Sequence, residues 1–485
     1  MAHPIKFGTD GWRAIIAEDF TFRHVRALAA SIARYLKETG LAARGLVVGF
    51  DTRFASDRFA EAVAEVVTAA GVPVHLAERF APTPAVSYAI IARRAGGAAV
   101  ITSSHNPAMW NGVKYKPEYA GSASPEVVAR LEAPLDAILA AGEPPRLPLH
   151  EAQTRGLLSR FEAGTPYRTR LAELVDLERI RRAGLRIAVD SMYGAGQGYL
   201  AELLSGSATA VTELHAVHNP NFPGIGAPEP IPRNLGELAA AMRQPPEEPG
   251  RHTRFDVGIA TDGDADRLGV MDEHGEFVNQ LQTFALLAYY LLEVRGERGP
   301  IVRALTTTRM VDRLGELYGV PVYETAVGFK YVGPKMMETN ALLGGEESGG
   351  YAFRGHIPER DGILAALYFL DLMARTGKRP TELVRLLFDK VGEHYYDRVD
   401  IHLEEAQKPA IMAAVSGSRP REIAGYTVTG MSTLDGYLFN LEGGGWLLIR
   451  FSGTEPLMRI YTEVRDKGRV PEVLEAGKRL AGVAS

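Results

Sequence analysis

The chain of 485 residues contains no cysteine, so disulfides, thiolate metal sites and a cysteine nucleophile are excluded. No apolar stretch approaches the roughly 20 residues of a membrane-spanning helix, and the first residues lack the layout of a signal peptide. The formal net charge of −5 provides no basic surface for nucleic acid. These absences predict a cytoplasmic protein with neither a membrane nor a nucleic-acid partner.

What is present is typical of a globular protein with several cores, with 46% hydrophobic and 23% charged residues. Short apolar strands alternate with helices that carry one apolar face, as in residues 46–50 followed by a helix from residue 56. This alternation predicts α/β structure with a largely parallel sheet. From about residue 393 the pattern changes to strands, hairpin-like turns and late helices, which indicates a separate α+β domain.

Two connectors divide the α/β part, a proline-rich one at residues 141–148 and a loop-like one at residues 244–250. The blocks are similar in size and style, although no residue-level repeat proves a duplication. We therefore expect three similar α/β domains and a smaller C-terminal α+β domain. The expected bounds are 1–150, 151–279, 280–390 and 391–485.

Four polar motifs follow predicted strands, where open α/β sheets bind their ligands. The first is residues 102–107, Thr-Ser-Ser-His-Asn-Pro, directly after the apolar residues 98–100. It combines a hydroxyl nucleophile, an imidazole and an amide. The same composition is common in ordinary turns, so the motif alone is either a turn or a catalytic loop.

The second motif places Asp262, Asp264 and Asp266 at the end of an apolar strand. Carboxylates at alternate positions can direct several oxygens to one hard cation such as Mg²⁺. An EF-hand loop begins in the same way, but its sixth position requires glycine and is Arg267 here, and both flanks look like strands. We therefore favour a Mg²⁺ site, beside which Arg267 could hold a phosphoryl group with its guanidinium.

The third motif, residues 345–350, sets Glu346 and Ser348 among glycines that let the backbone come close to a ligand. A carboxylate and a hydroxyl of this kind suit sugar hydroxyls, although a glycine-rich turn with solvated glutamates is an alternative. His356 and Arg360 lie a few residues further on.

The fourth motif follows the apolar residues 446–449. Its arginine, hydroxyls and exposed glycine amide suit an anion, with a polar turn between strands as the alternative. The four residues concerned are Arg450, Ser452, Gly453 and Thr454.

In this order, one in each expected domain, the four motifs resemble those of the α-D-phosphohexomutase family. Residues 7–13, Phe-Gly-Thr-Asp-Gly-Trp-Arg, are also similar to the start of that family, and the resemblance covers essentially the whole chain. It implies three similar α/β domains and a C-terminal α+β domain around a central cleft. It also implies a Mg²⁺-dependent isomerase, monomeric or dimeric, that interconverts glucose 1-phosphate and glucose 6-phosphate through a phosphoserine and glucose 1,6-bisphosphate.

The resemblance further implies roles for single residues. Ser104 would carry the phosphoryl group and share Mg²⁺ with the three aspartates, while His105 and Lys114 would handle protons. The catalytic candidates are Ser104, His105, Lys114, Arg13 and Arg267. The candidates for binding the hexose phosphate are Glu346, Ser348, Lys330, His356, Arg360, Arg450, Ser452, Gly453 and Thr454.

The sugar preference depends on two details. Gly350 stands where phosphomannomutase/phosphoglucomutase and phosphoglucosamine mutase relatives often have histidine, and residues 356–362 look more like phosphoglucomutases. Glucose is therefore expected first, mannose or both sugars second, and glucosamine third. Two other classes stay open: a phosphosugar phosphatase that admits water to the same phosphoserine, and a non-catalytic sugar-phosphate binding protein.

Overall fold

A computed structural model of the protein describes residues 5–206, 208–246, 252–404, 406–451 and 457–483. These residues form four sheets in chain order, and each sheet defines one unit, I to IV. Units I to III combine helices with mixed sheets, and unit IV has an antiparallel sheet, so the expected fold class is confirmed. Within the described ranges, none of the helices has the length and apolar character needed to cross a membrane.

Unit I has the strand order β1-β5-β4-β2-β3-β6, with β2 parallel to β3 and β4. Its strands are β1 (Trp12–Ile15), β2 (Leu46–Phe50), β3 (Val74–Ala77), β4 (Gly97–Ile101), β5 (Trp110–Pro117) and β6 (Leu158–Phe161). Its helices are α1 (Phe22–Glu38), α2 (Ser56–Ala69), α3 (Thr83–Arg93), α4 (Pro125–Glu132), α5 (Leu135–Ala140) and α6 (Leu149–Thr154). The central strands β2 and β4 are buried along their whole length, which explains why they are continuous apolar runs. Strand β6 lies beyond the expected boundary at residue 150 but pairs with β3, so the first sheet extends past that boundary.

Unit II has the order β11-β10-β9-β7-β8. Its strands are β7 (Arg186–Asp190), β8 (Ala210–Leu214), β9 (Val257–Thr261), β10 (Leu268–Met271) and β11 (Phe277–Val278). Its helices are α7 (Gly164–Leu174), α8 (Leu177–Arg182), α9 (Tyr199–Leu204) and α10 (Gly236–Met242). Because β9 and β10 are antiparallel neighbours, the residues between them form a tight loop at one edge of the sheet.

Unit III has the order β13-β12-β14-β15. Its strands are β12 (Ile301–Ala304), β13 (Val322–Thr325), β14 (Leu343–Gly345) and β15 (Tyr351–Phe353). Its helices are α11 (Gln280–Tyr289), α12 (Met310–Tyr318), α13 (Phe329–Thr339), α14 (Gly362–Thr376) and α15 (Pro380–Val391). Helix α14 begins after Asp361, whose carboxylate accepts the Leu364 amide at 2.8 Å as an N-cap.

Unit IV has the order β16-β21-β20-β19-β18-β17, antiparallel throughout. Its strands are β16 (Tyr395–His402), β17 (Glu422–Ile423), β18 (Tyr426–Ser432), β19 (Tyr437–Leu441), β20 (Trp446–Phe451) and β21 (Leu457–Val464). Its helices are α16 (Lys408–Gly417) and α17 (Val470–Leu480). Trp446, Leu448 and Tyr461 form a small core with Leu305 of unit III, which joins the two units.

Candidate active site

The loop after β4 and the loop after β9 meet at Ser104. Its side chain is fully buried, and its Oγ donates a hydrogen bond to Oδ2 of Asp262 at 2.8 Å. A Cβ at Gly263 would lie only 2.4 Å from the Ser104 carbonyl oxygen, so glycine allows the two loops to come this close. Two motifs that are distant in sequence, from units I and II, therefore form one site.

The backbone of Ser104 is held in a strained conformation. Its φ of +51° lies in the left-handed region, which costs a residue with a Cβ about 1–2 kcal/mol. The Ser104 amide donates to Thr102 Oγ1 at 2.8 Å, and Arg53 Nη2 donates to the Ser104 carbonyl at 2.6 Å. Arg53 is not among the residues selected from the sequence, although its place directly after β2, next to β4 in the sheet, was a usable signal.

The three aspartates of the second loop fit a divalent cation. They are fully buried, and one carboxylate oxygen from each lies within 4.8 Å of the others. Oδ1 of Asp264 and Oδ1 of Asp266 are buried without a hydrogen-bond partner among the described residues. Buried polar atoms of this kind normally have a partner, and hard cations such as Mg²⁺ prefer carboxylate oxygens. Asp262, Asp264 and Asp266 could therefore hold Mg²⁺ beside Ser104.

The EF-hand alternative does not fit this loop. Strands β9 and β10 flank it, whereas an EF-hand loop lies between two helices. Glu273, at the position that would supply the last calcium ligand, instead accepts hydrogen bonds from the amide and hydroxyl of Thr381.

Lys114, on β5, holds the other carboxylate oxygen of both Asp264 and Asp266. Its Nζ donates to Oδ2 of Asp264 at 2.7 Å and Oδ2 of Asp266 at 2.6 Å, and lies 3.0 Å from Oδ2 of Asp10. Burial acts to lower the pKa of Lys114, but these three carboxylates raise it above its ordinary value. Burial acts to raise the pKa of Asp264, and Lys114 brings it below its ordinary value. Lys114 is therefore a fixed cation that orients the proposed metal ligands.

Further cationic and imidazole groups surround Ser104. Arg13 Nη1 donates to Asn106 Oδ1 at 2.9 Å, and Arg267 Nε lies 4.0 Å from Asp262 Oδ2. His105 Nδ1 lies 3.4 Å from Ser104 Oγ. Burial, together with the charges of Arg267 and Arg13, lowers the pKa of His105 well below its ordinary value. A lowered pKa favours the neutral ring and also makes that ring a weaker proton acceptor.

The third motif faces the same cluster. Glu346, directly after β14, is buried, and burial raises its pKa, while Ser348 is half-buried in the same loop. Arg360 connects this loop to the metal loop: its Nη1 lies 3.7 Å from Glu346 Oε2 and its Nη2 lies 2.9 Å from Asp266 Oδ2. Arg360 Nη2 also donates to Asp10, a residue of the opening motif. Units I, II and III therefore all contribute charged groups to one cluster.

His356 lies apart from that cluster. Its Nε2 is 3.0 Å from Oδ2 of Asp361, and its ring lies 5.6 Å from that of Tyr88 and 6.1 Å from that of Tyr167. Asp361 is already fixed as the N-cap of α14, so the histidine is directed into the junction of units I, II and III. Its assignment to the sugar remains a prediction that none of its described contacts supports.

The remaining candidates lie near the junction of units III and IV. Arg450 Nε on β20 is 3.0 Å from Oδ1 of Asp435, whose Oδ2 accepts the amide of Val327 at 3.0 Å. Lys330 follows in the first turn of α13, with its Nζ 5.4 Å from the centre of the Tyr331 ring. Three residues of the fourth motif that are predicted to bind phosphate lie outside the described residues, namely Ser452, Gly453 and Thr454.

Comparison with known proteins covers most of the chain. Family profiles described as phosphoglucomutase/phosphomannomutase match as alpha/beta/alpha domain I at residues 4–141, domain II at 165–275, domain III at 279–391 and the C-terminal domain at 402–477. A phosphoglucomutase/phosphomannomutase of Thermococcus kodakarensis is 31% identical over 475 residues, 98% of each chain. A phosphoglucosamine mutase of Paracoccus denitrificans is 30% identical over 477 residues, 97% of each chain.

Comparison with solved structures gives the same family. A protein from Thermus thermophilus with a provisional phosphomannomutase assignment has a TM-score of 0.84 and 35% identity, covering 99% of this chain and 100% of its own. The chain therefore belongs to the phosphoglucomutase/phosphomannomutase family of isomerases, the α-D-phosphohexomutases.

Proposed function

We propose that the protein interconverts glucose 1-phosphate and glucose 6-phosphate through phosphorylated Ser104 and a glucose 1,6-bisphosphate intermediate. The proposal is carried by the hydrogen bond of 2.8 Å from Ser104 Oγ to Asp262, within a set of three buried carboxylates. This contact supports the proposal because it would bring the phosphoryl acceptor next to a bound divalent cation. Phosphoryl transfer relies on that combination of positioning and charge neutralisation.

In the first half-reaction the bond between Ser104 Oγ and phosphorus breaks while a free hydroxyl oxygen of the hexose monophosphate bonds to that phosphorus. The bisphosphate then reorients, and its other phosphoryl group returns to Ser104. Mg²⁺, held by Asp262, Asp264 and Asp266, would supply positive charge to the transferring phosphoryl group. Arg13 and Arg267 would add their charges on the protein side.

The attacking hydroxyl must lose a proton, and the leaving oxygen must regain one. His105 is our first candidate, because its Nδ1 lies 3.4 Å from Ser104 Oγ. Lys114 is the second candidate. Its ammonium hydrogens are directed at Asp10, Asp264 and Asp266, which favours a role in holding the carboxylates.

Glu346 and Ser348 are proposed to hold the 3- and 4-hydroxyls of the sugar, with Arg360 fixing the position of Glu346. Hydroxyls in the middle of the hexose look similar from either end, so this grip would tolerate the reorientation. On the far side, Arg450 would hold the phosphate that is not transferring, together with Ser452, Gly453 and Thr454.

The test compares kcat/KM for the 1-phosphates of glucose, mannose and glucosamine, with Mg²⁺ and the matching 1,6-bisphosphate. We expect glucose to be the best substrate. A higher kcat/KM for mannose 1-phosphate would change the proposed sugar but not the proposed reaction. Mannose is the sugar named for the Thermus thermophilus protein. Release of inorganic phosphate as fast as isomer formation would indicate a phosphatase, and no turnover of any of the three would overturn the proposal.

A further inference from the structure

One segment of unit II contacts the aspartate loop and also the residues of unit I that hold the Ser104 loop. This segment, residues 215–230, is called the strap here; it leaves the end of β8 and reaches unit I. Many of its side chains are exposed, but Phe222 is only 2% exposed. Phe222 also has a φ of +47°, an unfavourable conformation for a residue with a Cβ. Its contacts must compensate for this strain, which makes Phe222 the anchor of the strap.

The anchor lies against Arg53. The guanidinium carbon of Arg53 is 5.0 Å from the centre of the Phe222 ring, a cation–π distance. Nearby, His218 Nε2 is 3.0 Å from the Thr52 carbonyl oxygen, and its ring stacks on Phe80 at 5.7 Å. The strap therefore covers the segment that carries Arg53.

Arg53 is itself buried, and both terminal nitrogens of its guanidinium donate hydrogen bonds to backbone carbonyls in and next to the Ser104 loop. Nη2 donates to the carbonyl oxygens of Ser104 and Asn106, both at 2.6 Å. Nη1 donates to those of Pro107 at 2.9 Å and Trp110 at 3.0 Å. One planar group thus fixes three carbonyls of the loop that contains the proposed nucleophile and the carbonyl of Trp110, the first residue of β5.

The other end of the strap reaches the metal loop. The carbonyl oxygen of Pro228 accepts the amide of Gly263 at 3.2 Å, and Oε1 of Glu229 accepts Nη1 of Arg267 at 3.2 Å. The same segment therefore holds the aspartate loop directly and the Ser104 loop through Arg53.

We propose that Arg53 and Phe222 are positioning residues, and that the strap sets the alignment of Ser104 with the aspartates. This inference rests on the proposed function, in which Ser104 carries the phosphoryl group. Arg53 acts on backbone carbonyls and Phe222 acts on Arg53, so both work through Ser104. A displacement of about 1 Å at a reacting atom is enough to cost on the order of 100-fold in rate.

Arg53→Lys tests the first contact, because lysine keeps the charge but loses the planar fork that bonds several carbonyls at once. We expect kcat to fall on the order of 100-fold, with KM for the hexose phosphate unchanged. Phosphorylation of Ser104 by glucose 1,6-bisphosphate, followed by intact mass, should slow in parallel. The matched control is Arg303→Lys, a buried arginine on β12 that pairs with Asp312 and Glu324 and should leave kcat unchanged.

Phe222→Leu tests the contact of the strap with Arg53 while the guanidinium itself is kept. It therefore tests the proposal even if Arg53→Lys fails to fold. We expect a fall of about 10-fold in kcat, again with KM unchanged, since loss of one cation–π contact displaces the loop less than loss of its hydrogen bonds. The matched control is Phe161→Leu, where a phenylalanine on β6 lies 4.5 Å from the Arg93 guanidinium. It should keep wild-type kcat.

Hydrogen exchange of the amides of residues 104–106 and 108–110 gives a readout that does not depend on activity. Exchange should be faster in Arg53→Lys and Phe222→Leu than in wild type and in both controls. Unchanged exchange in folded Phe222→Leu would overturn the inference, as would wild-type kcat. Failure of the proposed function has a different signature, because wild-type protein would then show no mutase activity while the exchange result still decides the role of the strap.

Discussion

The Ser104 side of the site and the junction with unit IV are built in different ways. Ser104 and the three aspartates are fully buried and bonded across units I and II, with Lys114 and Arg53 fixing them from two sides. At the junction, Glu347 of the third motif accepts hydrogen bonds from Tyr396 at 2.7 Å and Arg398 at 2.8 Å. Arg398 is 30% exposed, so solvent reaches this contact.

This difference suits the two tasks of a mutase. Phosphoryl transfer needs groups that stay aligned throughout, and buried groups held by several hydrogen bonds resist displacement. Entry, reorientation and release need a part of the site that can open at small cost, and partly exposed ion pairs contribute about 0–1 kcal/mol. We therefore expect substitutions on the Ser104 side to reduce catalysis strongly and those at the junction to act weakly.

The largest effect is expected for Ser104→Ala, which removes the proposed phosphoryl carrier. We expect kcat to fall by at least about 10⁴-fold, with hexose-phosphate binding retained in calorimetry. Ser103→Ala is the matched control, because the buried Ser103 hydroxyl has no hydrogen-bond partner within the described ranges. Unchanged turnover in Ser104→Ala, or an equal loss in Ser103→Ala, would contradict the assignment of the nucleophile.

Asp264→Asn should have the next largest effect, on metal binding itself. It removes charge from an oxygen that is buried without a described partner, so we expect Mg²⁺ affinity to fall by at least about 10-fold in calorimetry. Chelation of the metal should abolish turnover in wild type, and added Mg²⁺ should restore it. Glu273→Gln is the control: a comparable loss of affinity there would return the EF-hand interpretation.

These two predictions concern residues that could be found from the sequence. Ser104, the aspartates and Glu346 all follow short apolar strands, and the ends of such strands meet at one edge of a sheet. Their chemistry can also be inferred from the sequence, because hydroxyl, carboxylate and glycine residues are neighbours within each motif. Both the α/β architecture and the identity of this cluster were predictable for that reason.

The roles of Arg53, Asp10 and Phe222 were not predictable in the same way, although Arg53 also follows an apolar strand. Arg53 is 51 residues from Ser104 in the chain, and its function depends on which carbonyls the folded loop presents. His356 shows the reverse problem: it is close to Arg360 in sequence, but Asp361 and two tyrosine rings direct it elsewhere. Strand β6 is short and buried only at its ends, so its pairing with β3 gave no clear apolar pattern.

Glu346→Gln should have an intermediate effect on kcat/KM. Glu346 is buried, like the residues on the Ser104 side, but it is proposed to bind the sugar and not the transferring phosphoryl group. Loss of a charge-assisted hydrogen bond corresponds to roughly a 10- to 100-fold decrease in kcat/KM. The 3-deoxy and 4-deoxy analogues of glucose 1-phosphate identify the contact, because the variant should discriminate less against the analogue whose hydroxyl Glu346 holds. Glu338→Gln, at an exposed ion pair with Lys335, should match wild type. Undiminished discrimination against both analogues would contradict the assignment to these hydroxyls.

The smallest effect is expected for Arg398→Ala, which breaks the contact between unit IV and Glu347. Tyr396 still donates to Glu347, and the core around Trp446 still joins the units, so the fold should be retained. We expect KM to rise about threefold with little change in kcat, the size of a partly exposed ion pair. Arg419→Ala, an exposed arginine that bonds only backbone of its own unit among the described residues, is the control. If Arg398→Ala instead lowered kcat as much as Arg53→Lys, the junction would belong to the groups that must stay aligned, and the contrast between a fixed and an opening side would be wrong.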